Sequence, residues 1–200
     1  MPHLEHGDKY DHRPEKVISP SKLAHVVIRT SPDHFKPMVE FYKTFLGAQA
    51  SYENEYISFM TYDDEHHRIA VVAIPETAGK DPKAAGLLHV AFTFDSLDDL
   101  AIAYRQRKAK GILPVWSINH GITTSIYYAD PDGNQLETQV DSFETSEEAS
   151  AYMASKDYTE NPIGVDFDPE DLIKRLRSGE DKVSILKRPN IGPRSLPVDI

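Results

Sequence analysis

Two runs of β-prone residues, LAHVVIRT (Leu23 to Thr30) and LLHVAFTF (Leu87 to Phe94), align without gaps at an offset of 64 residues, each with a histidine in third place. The segments that follow are also alike. After the first, DHFKPMVEFYKTFLG places Phe41, Phe45 and Leu46 at helical spacing and ends on Gly47, a C-cap residue. After the second, SLDDLAIAYRQRKAKG sets Leu97, Leu100 and Tyr104 in a stripe, with Asp98 and Asp99 in the first turn and Gly111 as the stop. Strand-like runs come next in both halves: SYENEYISFMTY and HRIAVVAI in the first, LPVWSI, TTSIYYA and NQLETQV in the second. The pattern predicts an α+β fold of two βαβββ units, about 21–76 and 86–141, joined by the polar loop PETAGKDPKA.

The stretch SIYYADPDGNQLE is dense in turn formers at Asp130 to Asn134, so the chain reverses there. Tyr127 and Glu137 are equidistant from Asp132 and are expected to face each other across the hairpin, with Asp130 and Asn134 serving the turn alone. Beyond residue 141, Thr145-Ser146-Glu147-Glu148 predicts the cap of a short helix through Met153. Asp168-Pro169-Glu170 predicts the start of another that ends near Gly179. The Pro-rich end, LKRPNIGPRSLPVDI, is expected to be extended, so residues 142–200 form a helical and extended tail. Residues 1–20, with His3, His6 and His12, are expected to be a flexible arm.

Composition narrows the function. Two hundred residues at 40% hydrophobic suit one compact domain with a real core. A formal net charge of −10 opposes counterion-release binding to nucleic acid and offers no polybasic membrane patch. The absence of cysteine excludes disulfides, thiolate zinc sites, iron–sulfur clusters and cysteine nucleophiles, so any metal is held by nitrogen and oxygen. Neither a signal-peptide core nor an apolar run long enough to span a bilayer occurs, which makes a soluble cytoplasmic protein the expectation. A homodimer is expected to bury the sheet edges and the apolar surface of the tail.

His25 and His89 hold matching places in the two units, and Glu137 lies on the last strand of the second. Two imidazoles and one carboxylate make the facial set that leaves coordination positions open, a geometry associated with non-haem Fe(II) oxygen chemistry and usable by Mn(II). A lone strand histidine is more often a hydrogen-bonded core or surface residue, and Gln135, Glu137 and Gln139 alone would read as a solvated face; their joint placement points to a metal. Glu137 follows His89 by 48 residues, and the same count from His25 lands on Ala73, in an apolar strand. The repeat thus supplies three ligands rather than four.

The doubled unit, FYKTFLG, the paired histidine strands and YYADPDGNQLE together resemble the vicinal oxygen chelate superfamily, and within it the type I extradiol catechol dioxygenases, over about residues 21–141. The run NPIGVDFDPEDLIKRL resembles the tail of single-domain members. The resemblance implies a half-open mixed β-barrel cup around a metal site, with Fe(II) on His25, His89 and Glu137 and an aromatic vicinal diol and O2 as substrates. It further implies that one histidine of the pair His66-His67, by alternation His67, is the acid/base near O2, and that His120 and Tyr127 are the substrate-side groups. Phe59, Trp116, Phe143 and Tyr152 are candidate aromatic walls. Because the superfamily also holds isomerases and binding proteins, a metal-dependent lyase or isomerase and a metal-free small-molecule binder are the alternatives.

Overall fold

The computed structural model describes residues 17–195; His3, His6 and His12 of the expected arm lie outside them. The first unit runs β1 (Val26–Thr30), α1 (Pro32–Leu46), β2 (Gln49–Glu53), β3 (Ile57–Thr61) and β4 (Ile69–Ala73). The second runs β5 (His89–Thr93), α2 (Leu97–Ala109), β6 (Trp116–Asn119), β7 (Thr123–Ala129) and β8 (Gln135–Asp141). The extension adds α3 (Ser146–Met153), α4 (Lys156–Glu160), β9 (Val165–Asp166), α5 (Pro169–Arg177) and α6 (Lys182–Leu186).

Local chemistry sets the helix limits. Ser31 accepts from the His34 amide ahead of Pro32 at the first helical position, and Gly47 closes α1 at φ 62°, where a Cβ would be strained. Ser96 caps α2 in the same way over Asp98 and Asp99. The predicted capping box at Thr145 and Glu148 is formed, and the Asp168 side chain caps α5.

Each unit folds into one mixed sheet with its first strand at an edge, parallel to the last: β1-β4-β3-β2 in one, β5-β8-β7-β6-β9 in the other. Among the described residues the two sheets share no ladder. In the β7–β8 hairpin Tyr127 stands opposite Glu137, as the symmetry of the turn predicts. One detail differs from the count along the chain. Ala91 pairs with Glu137, and the residue 64 earlier, Val27, pairs with Ala70 and not Ala73, because the connections within the units differ by three residues. Since β4 reads IAVVA, that strand still offers no carboxylate.

A shared core joins the units: Phe35, Met38, Tyr42 and Phe45 of α1 pack with Leu100 and Tyr104 of α2 and with Ile126, Tyr128 and Leu136 of the second sheet. The DPDGN turn does more than reverse the chain. Asp130, only 5% exposed, accepts amide hydrogens from Asp132 and Asn134 and also the Tyr42 hydroxyl at 2.8 Å. Asp132 accepts from Thr30 at 2.6 Å and lies 2.5 Å from the His34 ring. A turn-only role for Asp130 is therefore corrected: its carboxylate clamps the first unit onto the second. No helix among the described residues is long and apolar enough to cross a membrane.

Candidate active site

Alternation along β7 sends Ile126 and Tyr128 into the core and leaves Thr123, Ser125 and Tyr127 on the opposite face. The ladders then line up one transverse row on that face, Trp116 opposite Tyr127, Tyr127 opposite Glu137, and Glu137 opposite Ala91. His89, two residues before Ala91, projects from the same face of β5, and its Nε2 lies 3.0 Å from Glu137 Oε2. Glu137 is 5% exposed. Burial alone would raise its pKa; contacts with His89, Ser125 and Tyr127 outweigh that and hold the carboxyl below its ordinary value. An ionised carboxylate is thus kept in a largely dry place.

Tyr127 is equally buried, and burial followed by the negative charge of Glu137 pushes its hydroxyl far above the ordinary range. At neutral pH it is a proton donor. Its oxygen lies 3.0 Å from Nε2 of His120, whose ring sits at the end of β6. The other ring nitrogen, Nδ1, is 2.5 Å from the Ile163 carbonyl. Burial lowers the pKa of His120 more than that carbonyl and Glu137 raise it, so the ring is neutral. Trp116 leans on Tyr127 at 5.1 Å and on His120 at 5.9 Å between centroids, and its indole N–H donates to Asp166 at 2.8 Å.

A second cluster gathers at the near end of the first sheet. His25 immediately precedes β1 and is exposed; its ring lies 4.3 Å from that of His67, which stacks on Phe59 at 4.7 Å. Of the adjacent pair, His66 is turned outward with 72% of its side chain exposed, so His67 is the inward member. Burial, then the neighbouring His25 and His66, lower the pKa of His67.

The structure brings together His89 with Glu137, Tyr127 with His120, and His25 with His67. It does not draw His25, His89 and Glu137 into one group of three metal-ligating side chains. The donor chemistry nevertheless suits a divalent metal: a buried, ionised carboxylate whose nearest basic neighbour is one imidazole still has oxygen lone pairs to fill. Phe59 packs on His67, and Trp116 on Tyr127 and His120. Phe143 and Tyr152, 5.4 Å apart, instead wall a separate cavity of about 280 Å³ with Arg188, behind Gly121. Sequence reasoning missed the Ile163 carbonyl and Asp166. A backbone oxygen carries no sequence signal, and β9, which positions both, is two residues long.

Paired βαβββ units, with a histidine and a glutamate on neighbouring strands and a tyrosine beside the glutamate, define a vicinal oxygen chelate fold. Residues 22–138 match the family model described as Glyoxalase/Bleomycin resistance protein/Dioxygenase superfamily, and the chain belongs to that superfamily. Biphenyl-2,3-diol 1,2-dioxygenase 2 of Rhodococcus globerulus is 47% identical over 159 residues, 79% of this chain and 83% of the relative. Biphenyl-2,3-diol 1,2-dioxygenase 3 of the same organism is 41% identical over 84% of this chain and 88% of that protein. Among solved structures, a glyoxalase/dioxygenase from Nostoc punctiforme superposes with a TM-score of 0.52 at 19% identity, over 64% of this chain and 99% of its own, a likeness of fold.

Proposed function

We propose that the protein is an extradiol ring-cleaving dioxygenase that opens an aromatic vicinal diol with O2 at Fe(II), or at Mn(II), held by His25, His89 and Glu137. The observation that carries this reading is the His89–Glu137 pair at 3.0 Å on the face that also presents Tyr127. The relatives' names, at 47% and 41% identity, support the reaction class. A divalent metal held by these residues would supply the Lewis acidity that makes a diol hydroxyl easier to deprotonate.

The chain's own groups divide the remaining work. Glu137, already ionised, would offer its charge to the metal. Tyr127, held protonated, donates a hydrogen bond to a substrate oxygen. His120, neutral, offers Nε2 as the acceptor for that hydroxyl when substrate is absent and for a substrate proton when Tyr127 turns to the diol. His67, kept neutral and stacked on Phe59, holds or takes a proton on the oxygen side. The lyase or isomerase alternative is disfavoured by the first sheet, which presents Ala70 where a second glutamate would stand.

Anaerobic titration with Fe(II) tests the assignment. One site per chain is expected in the wild type, with binding lost in His89→Ala and Glu137→Gln and weakened in His25→Ala. Tyr127→Phe should bind metal normally yet turn over catechols at least ~100-fold more slowly. Equal metal loss in Tyr127→Phe and His89→Ala would refute the division of roles.

A further inference from the structure

The family match ends at residue 138, yet the partners of the His120 Nδ1 and carbonyl come from beyond it. β9 pairs with β6, setting Val165 opposite Asn119, the residue before His120. Just ahead of β9, Gly164 lies so close to that strand that a Cβ would stand 2.3 Å from the Asn119 carbonyl oxygen, at a φ of 119° that only glycine adopts freely. The buried Asn161 shapes the turn: its side-chain oxygen accepts from the amides of Ile163 and Gly164, and its amide donates to the Gly164 carbonyl. This aims the Ile163 carbonyl at His120 Nδ1. Arg188, after α6, then ties the parts together. One guanidinium nitrogen donates to the carbonyls of both His120 and Asn161, the other to that of Asp157 at 2.9 Å. Its face covers the rings of Tyr152 and Tyr158.

A carbonyl oxygen can only accept, so the neutral imidazole facing Ile163 carries its proton on Nδ1 and leaves Nε2 as the acceptor towards Tyr127. We infer that Arg188 is a positioning residue: through the 161–164 turn it locks His120 into the Nδ1–H tautomer, which makes the C-terminal extension part of the catalytic apparatus. The effect on turnover rests on the proposed role of His120; the tautomer itself does not. Arginine suits the task because its planar fork spans three carbonyls at once, whereas a lysine ammonium at the same place reaches fewer of them. Without the fork the Ile163 carbonyl drifts, the other tautomer gains population, and a ring bearing its proton on Nε2 no longer accepts a proton on the Tyr127 side.

Two readouts test this on the purified full-length chain. Nitrogen-15 spectra of histidine-labelled, metal-free protein distinguish the tautomers directly, with His120→Gln identifying the resonance. The wild type should show the Nδ1–H form alone; Arg188→Ala and, less strongly, Arg188→Lys should show both. In turnover, Arg188→Ala should lower kcat roughly tenfold with little change in KM, and that loss should vanish in the His120→Gln background. A single unchanged tautomer in Arg188→Ala, or an equal loss with and without His120, would overturn the inference. If Arg188→Ala does not fold, Arg188→Lys carries both readouts. If the wild type opens no aromatic diol, the proposed function fails, while the nitrogen spectra still decide the tautomer.

Discussion

Removing Arg107 should unsettle the joint between the two units more than any surface change. This arginine, in the last turn of α2, is 4% exposed. Its guanidinium donates twice to the Phe45 carbonyl, at 2.9 and 2.7 Å, and once to Thr138, while lying 3.9 Å from the Phe45 ring centroid and 5.2 Å from that of Tyr128. Its partners are the carbonyl end of α1 and aromatic faces rather than a carboxylate, and burial pulls its pKa below the ordinary value. In Arg107→Ala the Phe45 carbonyl loses its charged donor, at about 2 kcal/mol, and the emptied stem leaves a cavity worth about 2–3 kcal/mol. Release of a desolvated charge returns part of this, for a net loss of about 3–4 kcal/mol. Arg107→Met fills the volume and sheds the charge, so only the unsatisfied carbonyl remains, at about 1–2 kcal/mol. At about 2–4 °C per kcal/mol for a chain of this size, calorimetry should find Tm falling by about 6–16 °C in the alanine variant and by about 2–8 °C in the methionine one. Equal losses in the two would refute the packing half of the reasoning. A loss under about 1 kcal/mol in Arg107→Ala would refute both halves.

Two further predictions concern buried hydroxyls and a surface cluster. Tyr128 lies in the same core with a buried hydroxyl that has no hydrogen-bond partner, so Tyr128→Phe should leave stability unchanged or raise it by about 1 kcal/mol. Tyr42→Phe, which strips Asp130 of a donor, should cost about 1.5–3 kcal/mol, and chemical denaturation giving the reverse order would contradict the clamp. Glu170 on α5 receives hydrogen bonds from Lys108, Tyr104 and Arg105 of α2, and Lys108 chiefly holds its pKa down to about 2. Because the folded value lies below the unfolded one, its stabilisation is present above about pH 4.5 and is lost as pH falls towards 2. The stability gap between wild type and Glu170→Gln should therefore close over that window, and a gap independent of pH would remove Glu170 from the α2–α5 contact.

What the sequence encodes locally proved legible, and what depends on distant atoms did not. Helix caps at Thr145 and Asp168 follow from a residue's own neighbours, and the Tyr127–Glu137 pairing follows from a symmetric turn. The doubled unit was visible because both copies keep a histidine before the same apolar alternation. The place equivalent to Glu137 in the first sheet was miscounted, since a chain offset cannot register loops of unequal length and only the ladder fixes Ala70. Asp130 read as a turn residue because its bond to Tyr42 spans 88 positions. The Ile163 carbonyl, the Asp166 acceptor and the short α4 and α6 gave no periodicity to detect. How His25 stands relative to the His89–Glu137 pair depends on two sheets without a shared ladder, and no strand pattern within either sheet expresses it.

The most direct test of the central claim is mass spectrometry of the product formed under oxygen-18 gas by the anaerobically Fe(II)-loaded protein, with catechols of increasing ring substitution. The account predicts a ring-opened product carrying both labelled atoms, formed with one O2 consumed per diol and absent in His89→Ala. Metal binding without oxygen consumption across the panel, or a product bearing one label at most, would contradict it.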